Sequence, residues 1–369
     1  MPRWRGASVL VIGAGPAGLL AALVLSRSGC RVVVAEYPGR RSAGRPQWHH
    51  VHLIDQSTWE TLRSLIPGLD QEMVRLGAPV AAADADSLDG CGRGPQRAFP
   101  DRRTLDTGLG NLCRDDPSVE CLDDNMAGRL QARGPGFVDP VECDAAYDLV
   151  IDCSGTARAS LPRLPAECHP FVVEGTTAGA HASLRVTGLE WPDKVVGHLT
   201  RDADGLGGCL LRRCSAEESL ISWLLPDETP LPRDAETLLR MTRRCSDPRI
   251  AELMRHAIPA GPVRHWRGRR MSRLGFEGGH LPGGWLALGD ALLHTPPRQG
   301  RGLAQLGRQL EVLAASVEGG VASREILRCL LSISSEAFLS AWLAQSLWEQ
   351  APPIRGSAAE SALALEARQ

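Results

Sequence analysis

Lysine is all but missing from this chain. Lys194 is the one lysine among 41 basic residues, and 43 acidic residues bring the formal charge to −2. Nothing in that balance calls for nucleic acid or an anionic membrane as a partner. The 11 cysteines are scattered, odd in number and contain no C-x-x-C pair. That argues against a zinc site or a disulfide framework and for buried reduced thiols. No G-x-S-x-G segment occurs and no paired carboxylates stand out, so no nucleophile or acid–base dyad announces the chemistry. The apolar run Ser8 to Leu25 behind Arg3 and Arg5 imitates a secretory signal. It carries three glycines at fixed spacing, however, and lacks a small-residue cleavage site, so it reads as folded structure. No other stretch reads as long and apolar enough to span a bilayer, and a cytoplasmic location is expected.

What the chain does have is glycine, 39 residues of it, at informative places. Residues 8–36 read SVLVIGAGPAGLLAALVLSRSGCRVVVAE. A β-branched run from Ser8 to Ile12 predicts a buried parallel strand, LLAALVLSRSG a helix that stops at Gly29, and Arg31 to Ala35 a second strand. Between strand and helix, Gly13, Gly15 and Gly18 make G-x-G-x-x-G, with Pro16 and Ala17 filling the turn. Gly13 permits the tight turn, Gly15 lets backbone approach a pyrophosphate, and Gly18 lets helix and strand pack closely. The helix N-terminal amides and dipole then face the phosphates. Glu36 follows at the spacing where a carboxylate takes a ribose hydroxyl. This frame predicts a dinucleotide site and does not by itself separate NAD from FAD.

A second such segment is GDALLHTPPRQGRG, Gly289 to Gly302. Trp285 to Leu288 reads as another buried strand, and Asp290 ends it. Ligands in open α/β sheets lie beyond the carboxyl ends of the strands, which places Asp290 to bond a polyol hydroxyl. Pro296 and Pro297 fix the chain beside the ligand. Gly300 and Gly302 allow close backbone approach and open the helix GLAQLGRQLEVLAASV.

The pattern G-D-x5-P-P-x-x-G-x-G resembles the second flavin motif of the class A FAD-dependent monooxygenases, the family of the p-hydroxybenzoate hydroxylase fold. AGRPQWHHVHL, from Ala43, is similar to a segment of the bacterial branch that epoxidises polyketide and terpenoid chains. YDLVIDCSGTARASLPRL, from Tyr147, resembles the family's third motif. The likeness runs with gaps from about Val9 to about Val317. It implies FAD as the tightly held dinucleotide, with Asp290 on its ribityl chain. It also implies oxygen chemistry through a flavin C4a-hydroperoxide, hydroxylating or epoxidising a lipophilic or aromatic natural-product intermediate. The protein would supply binding, positioning and exclusion of water.

Two departures limit the carry-over. Ser154 stands before Gly155 where the family commonly has Asp, which puts direct reduction by NAD(P)H in doubt and makes a separate flavin reductase an alternative electron source. Where the family often has His in its second motif this chain has Leu293, with His294 one place later.

His49, His50 and His52 form HHVH; alternation on an extended segment would put His50 and His52 on one face, but no third Cys, His or acid follows at ligand spacing, so no metal is expected. The resemblance instead places Arg45, His50 and His52 near the flavin ring, to stabilise reduced flavin or orient substrate. Packed structural histidines, and a surface arginine in a proline turn beside Gln47, are the plainer alternatives. The basic run VRHWRGRRMSRL, 263–274, reads as a strand crossing back between domains rather than as a nucleic-acid patch. Residues 322–349 have the apolar spacing of a core helix.

The expected fold is α/β: a doubly wound GxGxxG-type FAD-binding domain interleaved with a smaller, mainly antiparallel-sheet substrate domain, and a helical C-terminus. The FAD-binding domain takes 1–165, with an excursion near 76–99, and 270–317. The substrate domain takes 166–269, where ASLRVTGLEW, KVVGHLTRD and SLISWLLPD read as antiparallel strands, and helices take 318–369. Expected partners are a lipophilic small molecule, O2, and NAD(P)H or a flavin reductase. Neither nucleic acid nor an integral membrane segment is expected. Three rivals remain: a non-oxygenating flavoenzyme such as a prenyl-chain reductase or cyclase, a flavin halogenase, and a degenerate FAD-binding protein. Against the halogenase, the chain has no W-x-W-x-I-P element, and Lys194 alone is a poor match for the tunnel lysine of that group.

Overall fold

The computed structural model describes residues 4–36, 46–52, 54–82, 96–98, 100–122, 147–175, 179–191, 197–201, 208–225, 229–242, 248–276, 280–295 and 301–350. The chain begins β1 (Ser8–Ile12), α1 (Pro16–Arg27), β2 (Arg31–Ala35), α2 (Gln56–Leu65) and α3 (Leu69–Arg75). It continues β3 (Val80–Ala82), β4 (Gln96–Ala98), α4 (Arg102–Asp115), β5 (Val119–Leu122) and β6 (Leu149–Asp152). Strands β7 (Phe171–Glu174) to β13 (Arg264–Arg267) follow: β8 (Ala180–Thr187), β9 (Gly197–Arg201), β10 (Gly208–Arg213), β11 (Glu218–Leu225) and β12 (Ile258–Pro259) lie between them. β14 (Ser272–Gly275), β15 (Trp285–Ala287) and β16 (Leu293–His294) precede two helices, Gly302–Glu318 and Ser323–Gln350.

The first sheet has five strands in the order β15-β6-β1-β2-β5, every neighbouring pair parallel. Its register aligns the strand ends: Ile12 pairs with Ala35 on one side and Asp152 on the other, and Asp152 with Ala287. The exits of β1, β2, β6 and β15 therefore form one rim. Both faces are covered, which is why Val9, Leu10 and Val11 are completely buried and the strands read as unbroken apolar runs. Helix α1 packs against α4 and against helix Gly302–Glu318, so it is apolar nearly all round. Gly29 ends it with φ +84°.

The second sheet is antiparallel, β12-β8-β11-β10-β9, with β13 also on β8. Ala182, Leu184, Val186, Ile221 and Trp223 form the core of one face, with Leu238 of the helix Ala235–Thr242 and Ile250 and Leu253 of the helix Pro248–Leu253. By alternation His181, Ser183, Arg185 and Ser222 lie on the other face. The three stretches expected to be antiparallel strands lie in this sheet, as β8, β9 and β11; β10 between them gave no clear sequence signal. A three-stranded sheet, β16-β14-β7, and the hairpin β3-β4 complete the strands among the described residues.

Two expectations need correction. The basic run 263–274 is not one crossing strand. It is β13 in the second sheet, whose pairing with β8 runs on to Gly268 and Gly179, then a break before Met271, and β14 in the three-stranded sheet. The reading that no further stretch was apolar enough to span a bilayer also fails, since Ser323–Leu343 passes on length and composition. In the structure one side of that helix, including Ile326, Leu327, Leu330 and Phe338, is buried against the rest of the protein, as expected of a core helix.

Candidate functional site

The glycines of the first motif are required by contact. A Cβ on Gly18 would lie 1.8 Å from the Gly13 carbonyl oxygen, and one on Gly13, at φ +107°, 2.6 Å from the Cys153 carbonyl oxygen. The turn is thus pressed both against its own helix and against the exit of β6. Gly15 is the N-cap of α1, extended at φ −78° and ψ 178°; no side chain caps the helix and its first turn holds no acid. Pro16 sits at the first helical position, where an N–H has no partner anyway. The remaining first-turn amides are left without a side-chain acceptor, the arrangement that suits a phosphate. Glu36 is buried directly after β2 on the same rim.

The second and third motifs close on the first. A Cβ on Gly289, at φ +60°, would lie 2.8 Å from Cβ of Ala17, and the Gly289 amide donates to Gln309 Oε1 at 2.7 Å. The Leu288 amide donates to the Asp152 carbonyl at 3.0 Å. Gly155, at φ +70°, brings its α-carbon to the flank of Asp290. The Asp290 side chain remains about half exposed, 48%, and so accessible to a ligand. His294, buried on β16, holds Nδ1 3.3 Å from Asp290 Oδ2, without hydrogen-bond alignment. The histidine that comes one place late in sequence is therefore returned to the carboxylate by the short helical turn Gly289–Ala291.

Asp152 has a role that the sequence did not reveal. Its Oδ1 accepts from the Ser154 amide at 2.9 Å and hydroxyl at 2.6 Å; its Oδ2 accepts from the Ser160 amide at 2.9 Å and hydroxyl at 2.5 Å. Ser160 Oγ in turn accepts from Trp285 Nε1 at 2.9 Å on β15. Four donors occupy the carboxylate, so it shapes the loop rather than reaching a ligand. Ser154, the departure from the family pattern, is part of this clasp and also accepts from the Ala159 amide at 2.8 Å. Arg158 sits in the left-handed region at φ +48° and donates from Nε to the Ala291 carbonyl and from Nη2 to Ser272 Oγ, both at 3.0 Å. It ties the third motif to the Asp290 turn.

The histidines separate. His50 is buried, its Nδ1 2.7 Å from Ser183 Oγ on β8; Ser183 Oγ is 2.6 Å from Ser222 Oγ, which accepts from the Val51 amide at 2.8 Å. In the arrangement that uses both hydroxyl hydrogens within this chain, Ser222 donates to Ser183 and Ser183 to His50 Nδ1, with the imidazole proton on Nε2. Burial, then the charges of His49 and His265, push the His50 pKa down to about 4, so the ring is neutral at pH 7. Its ring lies 5.6 Å from that of His181, which meets Trp266 at 5.2 Å. His52 turns away: its Nε2 meets the Gln47 carbonyl at 2.9 Å, and burial, then Arg102, hold its pKa well below the usual value. The expectation of His50 and His52 acting from one face is not met: one ring goes to Ser183 of the second sheet and the other back to Gln47, in the 3₁₀ turn Pro46–His49 that precedes them.

The structure thus gathers Gly13, Gly15, Pro16, Ala17, Gly18, Glu36 and Asp290 on one rim, with Gly302 opening the helix behind it. Arg45, Pro297 and Gly300 lie outside the described residues. The serines 160, 183 and 222 carried no sequence signal, since their partners come from distant strands.

Comparison with known proteins agrees with this geometry. Residues 6–121 match the FAD binding domain family, which supports FAD as the dinucleotide. An L-glutamate oxidase precursor of Streptomyces viridosporus is 60% identical over 43 residues, a match spanning 12% of this chain and 6% of that protein. In fold, the chain is similar to the flavin-dependent brominase Bmp2, with TM-score 0.65 and 16% identity over 94% of this chain and 88% of that one. It is also similar to PqsL of Pseudomonas aeruginosa, described as a probable FAD-dependent monooxygenase, with TM-score 0.64 and 17% identity over 94% and 96%. The myxobacterial chondrochloren halogenase CndH follows at TM-score 0.60 and 18% identity, over 89% and 78%.

Proposed function

We propose that this protein is an FAD-dependent monooxygenase that hydroxylates or epoxidises a lipophilic or aromatic small molecule. The observation that carries the reading is the meeting of three motifs, separated by up to about 270 residues in sequence, at one rim of aligned strand ends. FAD, when bound, supplies reductive activation of O2. The chain's own groups do the rest. The uncapped first turn of α1 holds the pyrophosphate, Glu36 takes the ribose, and Asp290 takes a ribityl hydroxyl while His294 backs its carboxylate. Substrate lies toward the polar face of the second sheet, where the neutral His50 ring, fixed by Ser183, presents its Nε2 proton. Val51, Leu210, Leu220 and Leu224, buried together on that face, exclude water beside it.

Electrons come from NAD(P)H or from a separate flavin reductase. The second source is favoured because Ser154 and Asp152 are turned inward on each other and on Ser160, leaving no carboxylate at the usual Asp-Gly place. The test is anaerobic reduction of the FAD-loaded protein, first by NADH or NADPH and then by a flavin reductase system, followed by O2 and product analysis with candidate lipophilic substrates. Oxygen incorporated into an added substrate supports the proposal. Reduction with no oxygen uptake above the free-flavin rate would move the protein to the non-oxygenating reductases and cyclases of this fold.

A further inference from the structure

A cavity of about 710 Å³ is lined by residues that belong to none of the three motifs. Its walls come from the last residues of β14, the segment leading into β15, the short turn at Glu167–Cys168, and helix Ser323–Gln350. His280 and Leu281 precede β15, whereas Gly289 and Asp290 follow it. The cavity therefore opens at the N-terminal end of the edge strand, and the flavin rim is at its C-terminal end.

Its lining is divided by chemistry. Arg324 and Arg328 stand one turn apart on the same side of the helix, and Arg273 on β14 and His280 join them. Glu167 is the one acid among the lining residues. Arg328 already pairs with Glu325 on the exposed helix surface, and Arg273 stacks over Phe338 with its guanidinium carbon 5.8 Å from the ring centroid. A guanidinium carries five donors in a fork that suits a carboxylate or phosphate. Behind the cations the wall is apolar: Phe276, Leu281, Leu331 and the buried thiol of Cys168. A volume of this size accommodates a drug-sized molecule.

We infer that this cavity is a second small-molecule site, for an organic anion with an apolar body, distinct from the flavin and substrate sites. The anionic head meets Arg324, Arg328 and Arg273, and the body lies along Phe276, Leu281 and Leu331. The inference does not rest on the flavin assignment, because none of these residues belongs to the three motifs.

The experiment is a calorimetric titration of the full chain, with and without FAD, using phenylbutyrate and its uncharged counterpart phenylbutanol. Phenylbutyrate should bind at one site, about tenfold or more tighter than the alcohol, as expected when a charge-assisted hydrogen bond is lost. Arg324→Ala with Arg328→Ala should lose a similar factor. Ser335→Trp, which fills the cavity from the half-buried helix face, should abolish binding while the far-ultraviolet dichroism stays as in the parent. No binding at millimolar phenylbutyrate, equal affinity for acid and alcohol, or equal affinity in parent and variants would each overturn the inference. The last result would place the anion elsewhere on the molecule.

Discussion

The rim of the first sheet and the polar face of the second are built by different means. At the rim, backbone does the work. Glycines let α1, the exit of β6 and the Gly289 turn approach within contact distance, and helix amides and strand-end carboxylates face the same space. On the second sheet, side chains do it: His50, Ser183 and Ser222 meet from positions 133 and 39 residues apart, through hydroxyls that leave no local pattern. A site made of backbone tolerates little change in its glycines. A site made of side chains can be retuned one residue at a time, which suits a cofactor end held constant and a substrate end free to vary.

The comparison is most easily broken at Gly18. Gly18→Ala sets a methyl 1.8 Å from a backbone oxygen that cannot move without shifting β1 or α1. The expected outcome is loss of about 3 kcal/mol or more, with little soluble, FAD-competent protein. Urea denaturation and flavin retention read it; a variant as stable as the parent would contradict the packing described.

Asp152→Ala comes next, since it strands the Ser154 and Ser160 amides and hydroxyls in a buried loop. A loss of about 3 kcal/mol is expected by urea denaturation, with Asp152→Asn losing less. If Asp152→Ala instead abolished FAD binding with stability intact, the carboxylate would be a ligand group and not a loop clasp.

The third prediction concerns the second sheet. The His50 pKa is held near 4 in the folded protein against 6.5 ordinarily, so between those values the unfolded chain binds a proton that the folded chain does not. Stability therefore falls as pH drops through that window, by on the order of 3 kcal/mol from this one group. His52 acts in the same direction. His50→Gln should flatten the fall in unfolding midpoint between pH 7 and about pH 4.5; an unchanged profile would show that the ring is not buried neutral.

The smallest effect is at Asp290, half exposed and held by the turn around it. Asp290→Ala should leave the unfolding midpoint within about 0.5 kcal/mol. It should weaken FAD by about tenfold, the size of one lost charge-assisted hydrogen bond.

These differences mark how far the sequence could be read. The first βαβ unit was legible almost to the residue, because Gly13 and Gly18 each answer a local steric demand and its strands are largely buried. Asp290 was legible for the same reason. The inward turn of Asp152 was not: Ser160 and Trp285, which complete its clasp, lie 8 and 125 residues from the groups they meet. The separation of His50 from His52 was hidden too, since alternation presumes extended backbone and Pro46–His49 coils instead. The split of 263–274 between two sheets depended on which strands its halves meet, β8 for the first and β7 and β16 for the second, all outside the run itself.

The central claim is that the three motifs form one FAD site, and the most direct test is the visible absorption spectrum of the purified protein after incubation with FAD and removal of the free cofactor. The account predicts the two bands of an oxidised flavin, retained in the parent at close to one FAD per chain and lost in Gly18→Ala. A colourless parent that takes up no FAD would contradict it, and would leave a nucleotide-binding frame that has lost its ligand.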